Sequence, residues 1–136
     1  MLPEQNYQTG HIDLHGYASA TPVTDGESLF VFFGVSGVRA YDLDGKPLWH
    51  TTVGSNVNRF GWGSGASPIL FGDLVIVNAS IESESLVALD KKTGKEVWKA
   101  TGIHESWSTP LVVDVPDGER ELVLAMDWIV VFFLVY

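Results

Sequence analysis

The sequence contains no cysteine, few basic residues and no long apolar run, and each shortage narrows what the protein can be. Without cysteine among its 136 residues, the chain can hold neither a disulfide framework nor a thiolate metal site. Eight Lys and Arg stand against 17 Asp and Glu, for a net charge of -9, so the chain would repel a phosphate backbone. Nucleic acid is therefore excluded as an expected partner.

Segments that would direct the chain to or through a membrane are also missing. The first ten residues have neither a basic n-region nor an apolar h-region, so they do not predict a signal peptide. We expect either a cytosolic protein or a chain whose natural start lies before Met1. The apolar run that ends at Tyr136 contains Asp127 when extended back to Leu122, and it is shorter than the ~20 residues of a spanning helix. No membrane span is predicted.

What the sequence does contain is a repeated hairpin. Residues 88–98 read ALDKKTGKEVW, and a version shortened by one residue, AYDLDGKPLW, occupies residues 40–49. In each copy a small and an apolar residue end a strand, Asp begins a turn that contains Gly and Lys, and the following strand carries Trp. Asp can accept turn N–H groups, Gly can adopt positive φ, and Trp can pack on a neighbour while donating its one N–H.

The strand pattern around these hairpins recurs in the same order. Pro22, Pro68 and Pro110 each open a cycle, at a spacing of about 40 to 50 residues, which is the length of a four-stranded propeller blade. In the segment 28–33, every residue after Ser28 is apolar, which predicts a strand buried on both faces. The cycles predict an N-terminal lead-in (1–16), a first blade (17–59), a second blade (60–103) and a partial third blade (104–136) with an atypical apolar C-terminus.

The third cycle does not reach its hairpin. After Met126 the pattern predicts another Asp-to-Gly turn, but an apolar run from Trp128 to Tyr136 stands there instead. Two complete blades and part of a third cannot close a ring, and an open edge of this apolarity is prone to aggregation. We therefore expect this chain to be part of a longer protein, with the remaining blades outside it.

The repeat resembles that of the pyrrolo-quinoline-quinone-like (PQQ-like) β-propeller family, whose blades carry the tryptophan-docking motif Ala-x-Asp-x-x-Thr-Gly-x-x-x-Trp. The second blade matches the motif at Ala88, Asp90, Thr93, Gly94 and Trp98. The first blade has Ala40, Asp42, Gly45 and Trp49, with a shorter turn and no Thr. The resemblance implies an all-β fold of consecutive four-stranded antiparallel blades, quinoprotein-like, here an incomplete ring.

For function, the resemblance implies a non-catalytic interaction scaffold in an exported bacterial protein, periplasmic or extracellular, with a protein, peptide or glycan as partner. It assigns no catalytic, cofactor-binding or metal-binding residue in this chain. The alternative is part of a PQQ-dependent quinoprotein alcohol or sugar dehydrogenase, whose PQQ and Ca²⁺ ligands would lie outside this chain. Such enzymes cover the cofactor with a vicinal disulfide, which a chain without cysteine cannot form.

The segments that open successive blades are the expected ligand-facing positions, because propellers commonly bind ligands with such connectors. The residues concerned are Asn56, Asn58, Arg59, Trp62 and Trp107. The two Trp side chains could hold a peptide or a sugar, although structural packing is the interpretation that their type favours.

Three further groups have the ingredients of a site but not its pattern. His11 and His15 have the spacing of helical metal ligands, but glycines flank them and no helical period surrounds them, so we interpret them as a solvated loop. Glu82, Glu84 and Asp90 could offer oxygens to Ca²⁺, but their spacing is not that of a known calcium loop, so we interpret this stretch as a polar loop between strands.

The third group combines serine and histidine. His104, Glu105, Ser106 and Ser108 lie close together, but no glycine turn of the nucleophile-elbow type accompanies them. We therefore do not predict a hydrolase site there.

Overall fold

The computed structural model of the chain describes residues 19–116, 120–126 and 129–134. The lead-in, with His11 and His15, and the start of the apolar C-terminal run, Asp127 and Trp128, lie outside the described residues.

Two four-stranded antiparallel sheets follow one another along the chain, each with its strands in sequence order. The first sheet consists of β1 (Val23–Thr24), β2 (Ser28–Phe32), β3 (Val38–Asp42) and β4 (Pro47–Thr51). The second consists of β5 (Ile69–Phe71), β6 (Leu74–Ala79), β7 (Ser85–Asp90) and β8 (Glu96–Thr101). A 3-10 turn at Gly34–Ser36 joins β2 to β3, and a short helix, α1 (Ser80–Ser83), joins β6 to β7.

The two repeated hairpins have the same register. Ala40 pairs with Trp49 across β3 and β4, and Ala88 pairs with Trp98 across β7 and β8. Each hairpin also shifts register immediately after its alanine, between Ala40 and Tyr41 and between Ala88 and Leu89. Equivalent residues of the repeat therefore occupy equivalent positions in the two sheets.

The third sheet has three strands in the described part of the chain. They are β9 (Leu111–Asp114), β10 (Arg120–Met126) and β11 (Ile129–Leu134), in the order β9-β10-β11. The pairing of Met126 with Ile129 begins the β10–β11 ladder. Although the sequence after Met126 lacks the expected turn residues, its apolar run thus continues the sheet, since consecutive apolar residues of high β-propensity pair readily with a strand edge.

Each sheet begins one residue after its proline, later than the sequence pattern suggested. The hydroxyl residues that precede the prolines connect the sheets: the backbone N–H of Thr21 donates to Ser67 Oγ at 2.8 Å, and the N–H of Ser67 donates to Thr109 Oγ1 at 3.0 Å. A proline has no N–H to donate to a β-ladder, and at the first two prolines the residue before it donates instead to the equivalent residue of the next sheet.

The second sheet is buried on both faces. On one face Val75, Val77 and Leu89 pack in a cluster with Phe30 and Phe32 of the first sheet. On the other face the alternate residues of its strands pack against the third sheet, through the cluster Ile76, Leu86, Ala88, Ile103, Leu122 and Leu124. The period of two along a strand thus divides the core into two layers, one on each side of the second sheet.

Antiparallel strands place their connections alternately at two ends of the sheets. The turns within residues 25–27, 42–46, 72–73 and 90–95 form one end, here called the turn face. The segments 52–68 and 102–110, with the loops at 33–37 and 79–84, form the other end, here called the connector face.

Candidate functional site

On the turn face, the repeated motif joins the first sheet to the second. Trp49 donates its Nε1–H to the carbonyl oxygen of Lys91 at 2.9 Å, and Thr51 donates its hydroxyl to the carbonyl oxygen of Gly94 at 2.6 Å. A Cβ at Gly94 would lie 2.6 Å from the Trp49 ring. The turn of one copy therefore receives the Trp of the preceding copy, while its own Trp98 packs on the core layer toward the third sheet.

The Asp of each motif organises its turn. Asp90 Oδ1 accepts from Thr93 N–H and Thr93 Oγ1, both at 2.7 Å, and from Lys92 N–H at 3.1 Å. These bonds, above all those from Thr93, lower the pKa of Asp90. In the first sheet Asp42 Oδ1 accepts from the N–H groups of Asp44 and Lys46. The Asp side chains of both motifs therefore stabilise the turns in which they lie.

Lys91 adds an ion pair between the two sheets. Its Nζ lies 3.3 Å from Asp25 Oδ2 and 3.7 Å from Asp73 Oδ1. Asp25 also accepts the backbone N–H groups of Ser28 and Glu27, and these bonds, followed by Lys91, lower the pKa of Asp25. The Lys91 and Asp25 side chains are only 22% and 19% exposed, whereas that of Asp73 is 79% exposed, so the pair of Lys91 with Asp25 is the better shielded of the two.

The connector face holds the segment between the first two sheets in a defined conformation. Asn56 donates its N–H to the carbonyl of Glu82 at 3.0 Å, and Asn58 Oδ1 accepts the N–H of Trp62 at 2.9 Å. A Cβ at Gly54 would lie 2.1 Å from the carbonyl oxygen of Glu82, so only glycine allows this approach. The predicted connector residues thus belong to an anchored loop.

Four side chains form a row across this loop, here called the aromatic ladder: Arg59, Phe60, Trp62 and Trp107. Arg59 Cζ lies 4.5 Å from the centroid of the Phe60 ring, Phe60 stacks on Trp62 at 5.0 Å, and Trp62 meets Trp107 at 5.8 Å and 55°. Trp107 donates its Nε1–H to the carbonyl of Gly63 at 2.9 Å and is half-buried, whereas Trp62 and Phe60 are 41% and 44% exposed. Trp107 is therefore a fixed wall, and Trp62 is accessible to a ligand.

Two clefts flank the ladder. The first has a volume of about 420 Å³ and is lined by Trp62, Trp107, two glycines and Ser19. The second has a volume of about 520 Å³ and is lined on one side by residues 55–59 and on the other by Glu84, His104 and Glu105. The structure thus brings together all five connector residues that the sequence singled out, and adds Phe60, Glu84 and Glu105 to them.

The acidic stretch after β6 connects two strands, as we expected, but it does so as a short buried helix and not as a polar loop. Ser80, Ile81 and Glu82 are buried in α1, and Glu84 follows the helix in a left-handed conformation with φ 51°. The whole of β7 separates Glu84 from Asp90, so the two carboxylates lie at opposite ends of the sheet. Across the described residues, no group of three or more His, Cys, Asp or Glu side chains could hold a metal ion.

The serine and histidine side chains near residue 106 are kept apart. Ser106 is buried, and its Oγ donates to the carbonyl of Ala125 at 2.6 Å. His104 is exposed, with Nδ1 3.5 Å from Glu84 Oε2. Asn78 Nδ2 contacts the carbonyl and the Oγ of Ser106 and the carbonyl of Ser108, at 2.9 to 3.1 Å. Ser106 is thus part of a buried network that anchors the second connector, residues 102–110.

Comparison with known proteins identifies the family and the fold of this chain. The family model described as outer membrane protein assembly factor BamB matches residues 8–127. The crystal structure of BamB from Moraxella catarrhalis is similar with a TM-score of 0.53 and 16% sequence identity, over 86% of this chain and 33% of that chain. No curated protein matches the sequence. The present chain thus spans about a third of the BamB chain, and within the described residues its three sheets are blades of a β-propeller that do not close a ring.

Among the same described residues, no helix is long and apolar enough to cross a membrane.

Proposed function

This chain belongs to the PQQ-like repeat family of outer membrane protein assembly factor BamB, and from that premise we propose that it is a non-catalytic interaction scaffold. The connector face is the part that meets the partner, and the partner is a protein, a peptide or a glycan. The observation that carries the proposal is the exposed pair Phe60 and Trp62, held on an anchored loop beside two clefts. Aromatic side chains in such positions supply most of the binding energy of many interfaces.

The conformation of the connector supports a binding role. An exposed aromatic residue on a loose loop would lose conformational entropy when it binds, which weakens affinity. Here the loop is already fixed by Asn56, Asn58 and the Nε1–H of Trp107, so this cost is reduced. The turn face has no comparable exposed ladder among the described residues, because its Trp49 and Gly94 are used between the sheets.

We propose an exported location for the full protein, because the family name refers to assembly of outer membrane proteins. We also propose that this segment works without a cofactor. The quinoprotein alternative places its cofactor ligands outside this chain, so the proposal is supported by the family and by the exposed aromatic side chains of the connector face.

Site-specific photo-crosslinking of the full-length protein in its own cells tests the scaffold role. The crosslinking amino acid p-benzoylphenylalanine replaces Val57 or Phe60 on the connector face, and in a matched control it replaces Leu43, which is 66% exposed on the turn face. We expect the same partner, identified by mass spectrometry, at both connector positions and not at Leu43. Equal capture at Leu43 contradicts the proposal.

The enzymatic alternative has its own test. The full-length protein is supplied with PQQ and Ca²⁺ and assayed for dye-linked oxidation of alcohols and sugars. No turnover is expected, and reproducible turnover would overturn the scaffold role.

A further inference from the structure

We propose that the connector face recognises an extended peptide through two side chains: a large apolar one that enters the cleft lined by Trp62 and Trp107, and a basic one that pairs with Glu84 and Glu105. This inference rests on the proposed function and names the partner class for the same surface.

The composition of the smaller cleft favours an apolar side chain over a sugar. Its walls are two indole rings and the backbone of Gly63 and Gly65, and Ser19 supplies its one side-chain hydroxyl. The Nε1–H of Trp107 is already used by the carbonyl of Gly63. A sugar would bring several hydroxyl groups into this cleft and find few partners for them, and each unpaired polar group costs free energy when it is buried.

The larger cleft supplies the complementary charge. Glu84 and Glu105 line it from one side, and the single arginine that lines it, Arg59, lies over the Phe60 ring. Two carboxylates in this cleft therefore face one guanidinium and the imidazole of His104, whose Nδ1 lies 3.5 Å from Glu84 Oε2, in a chain whose net charge is -9. A basic side chain is attracted to this cleft and an acidic one is repelled.

The two clefts belong to one continuous surface. Asn58 and Arg59 line the charged cleft, Trp62 lines the apolar one, and the N–H of Gly61 donates to the carbonyl of Asn58 to close the turn between them. One short peptide can therefore reach both clefts, and the hydrogen-bonded turn holds them at a fixed separation. This arrangement makes recognition depend on two side chains and on the distance between them.

A titration of the uniformly ¹⁵N-labelled chain with synthetic peptides tests the inference. The five Trp residues give five indole N–H signals, which Trp62→Phe and Trp107→Phe variants assign. The probes are acetylated, amidated Gly/Ser nonapeptides that carry one Phe and one Arg, in both orders and at separations of about two to five residues, so that the apolar and basic side chains can span the clefts. We expect the indole signals of Trp62 and Trp107 to shift while that of Trp49 stays in place.

Matched probes and variants separate the two contacts. Replacing Phe by Ala, or Arg by Glu, in the best peptide should weaken binding about tenfold or more. The paired variant Glu84→Gln with Glu105→Gln should bind the Phe/Arg peptide about tenfold more weakly and lose the preference for Arg over Glu. Val97→Ala, at an exposed position outside the connector face, serves as the folded control and should bind like the parent chain.

Several outcomes overturn the inference without deciding the proposed function. If no peptide shifts the two indole signals, while crosslinks at Val57 and Phe60 persist, the two-side-chain peptide is wrong and the scaffold role stands. If chitohexaose shifts them and the peptides do not, the ligand is a glycan. If the paired Gln variant binds as tightly as the parent, the basic contact is wrong. If the crosslinks fail and neither the peptides nor chitohexaose shift the two signals, both proposals are wrong.

Discussion

The Nε1–H of Trp49 donates a 2.9 Å hydrogen bond to the backbone carbonyl of Lys91, which lies 42 residues further along the chain in the next blade. The ring of Trp49 covers Gly94 of the same turn and lies 5.9 Å from the ring of Phe30 in its own blade. One side chain thus contacts the core of the first blade and the turn of the second. Trp49 therefore links the two blades both by packing and by a hydrogen bond, beside the ion pair of Lys91 with Asp25.

Replacing Trp49 should separate the packing contribution from the hydrogen bond. Trp49→Ala removes both, and we expect a loss of about 3 to 5 kcal/mol in the free energy of unfolding. Trp49→Phe keeps an aromatic ring and removes the N–H donor, so the hydrogen-bond part of the loss should be about 1 kcal/mol. Urea unfolding of the two variants measures both effects. A loss below ~1 kcal/mol for Trp49→Ala would show that the blades do not depend on this contact.

Gly45 and Gly94 form a matched pair for testing the docking of Trp49. Both have positive φ, 82° and 71°, in equivalent turns, but a Cβ meets nothing within 4 Å at Gly45 and lies 2.6 Å from the Trp49 ring at Gly94. Substitution by Ala should cost about 1 to 2 kcal/mol at either position for the left-handed backbone. At Gly94 displacement of the Trp49 ring adds to this cost. Urea unfolding should therefore show a clearly larger loss for Gly94→Ala, and equal losses would contradict the docking geometry.

The hairpins could be predicted from the sequence because their determinants are local. Asp42 and Asp90 bond to N–H groups two to four residues away, and such short-range bonds leave a direct trace in the spacing of Asp, Gly and Lys. The partner of Trp49 leaves no such trace. A Trp after a turn predicts only that its ring is packed against a neighbouring element. That its N–H reaches the carbonyl of Lys91 depends on how one sheet is placed on the next.

The candidate site was predicted only in part, for a related reason. Trp62 and Trp107 could be named from their positions in the two connectors, whereas their approach to 5.8 Å results from the stacking of the blades. The burial of Glu82 in α1 was not predicted, because a four-residue helix is too short to show a helical period in the sequence. The strand β11 was missed because turn residues were expected before it.

Asp90 should make the stability of the second blade dependent on acid. Because its hydrogen bonds, chiefly from Thr93, lower its pKa in the folded protein, its carboxylate stabilises the fold above its ordinary pKa of 3.8. This contribution is lost as the pH falls through the lowered value. Asp90→Asn should therefore destabilise the chain more at pH 7 than at pH 3, as measured by urea unfolding at both values.

A second variant tests the cause of that shift. Thr93→Val removes the hydroxyl that donates to Asp90 Oδ1 at 2.7 Å and leaves the backbone N–H in place. The pKa of Asp90 should rise toward its ordinary value, as followed by NMR titration of its ¹³C-labelled carboxylate. An unchanged midpoint would show that the Thr93 hydroxyl does not hold the charge.

The buried network around Asn78 should control the candidate site from a distance. Asn78 Nδ2 contacts the Ser106 carbonyl and Oγ, and the Ser108 carbonyl, and these two residues flank Trp107. Asn78→Ala leaves these buried acceptors without their donor, so we expect a loss of about 1 to 3 kcal/mol in the free energy of unfolding. Because the same change frees the backbone on both sides of Trp107, the indole N–H of Trp107 should exchange with solvent faster.

The matched control for this effect is Ser83→Ala. Ser83 donates to the carbonyl of Ala79 at 3.4 Å within the short helix and shares a hydrogen with Ser85, without contacting the second connector. Its substitution should leave the exchange of the Trp107 indole N–H unchanged. If Asn78→Ala destabilises the chain and that exchange rate stays the same, Asn78 supports only the core of the second blade. A faster rate in Asn78→Ala alone means that the wall of the apolar cleft is set by a residue of the sheet beneath it, which loop substitutions by themselves would not reveal.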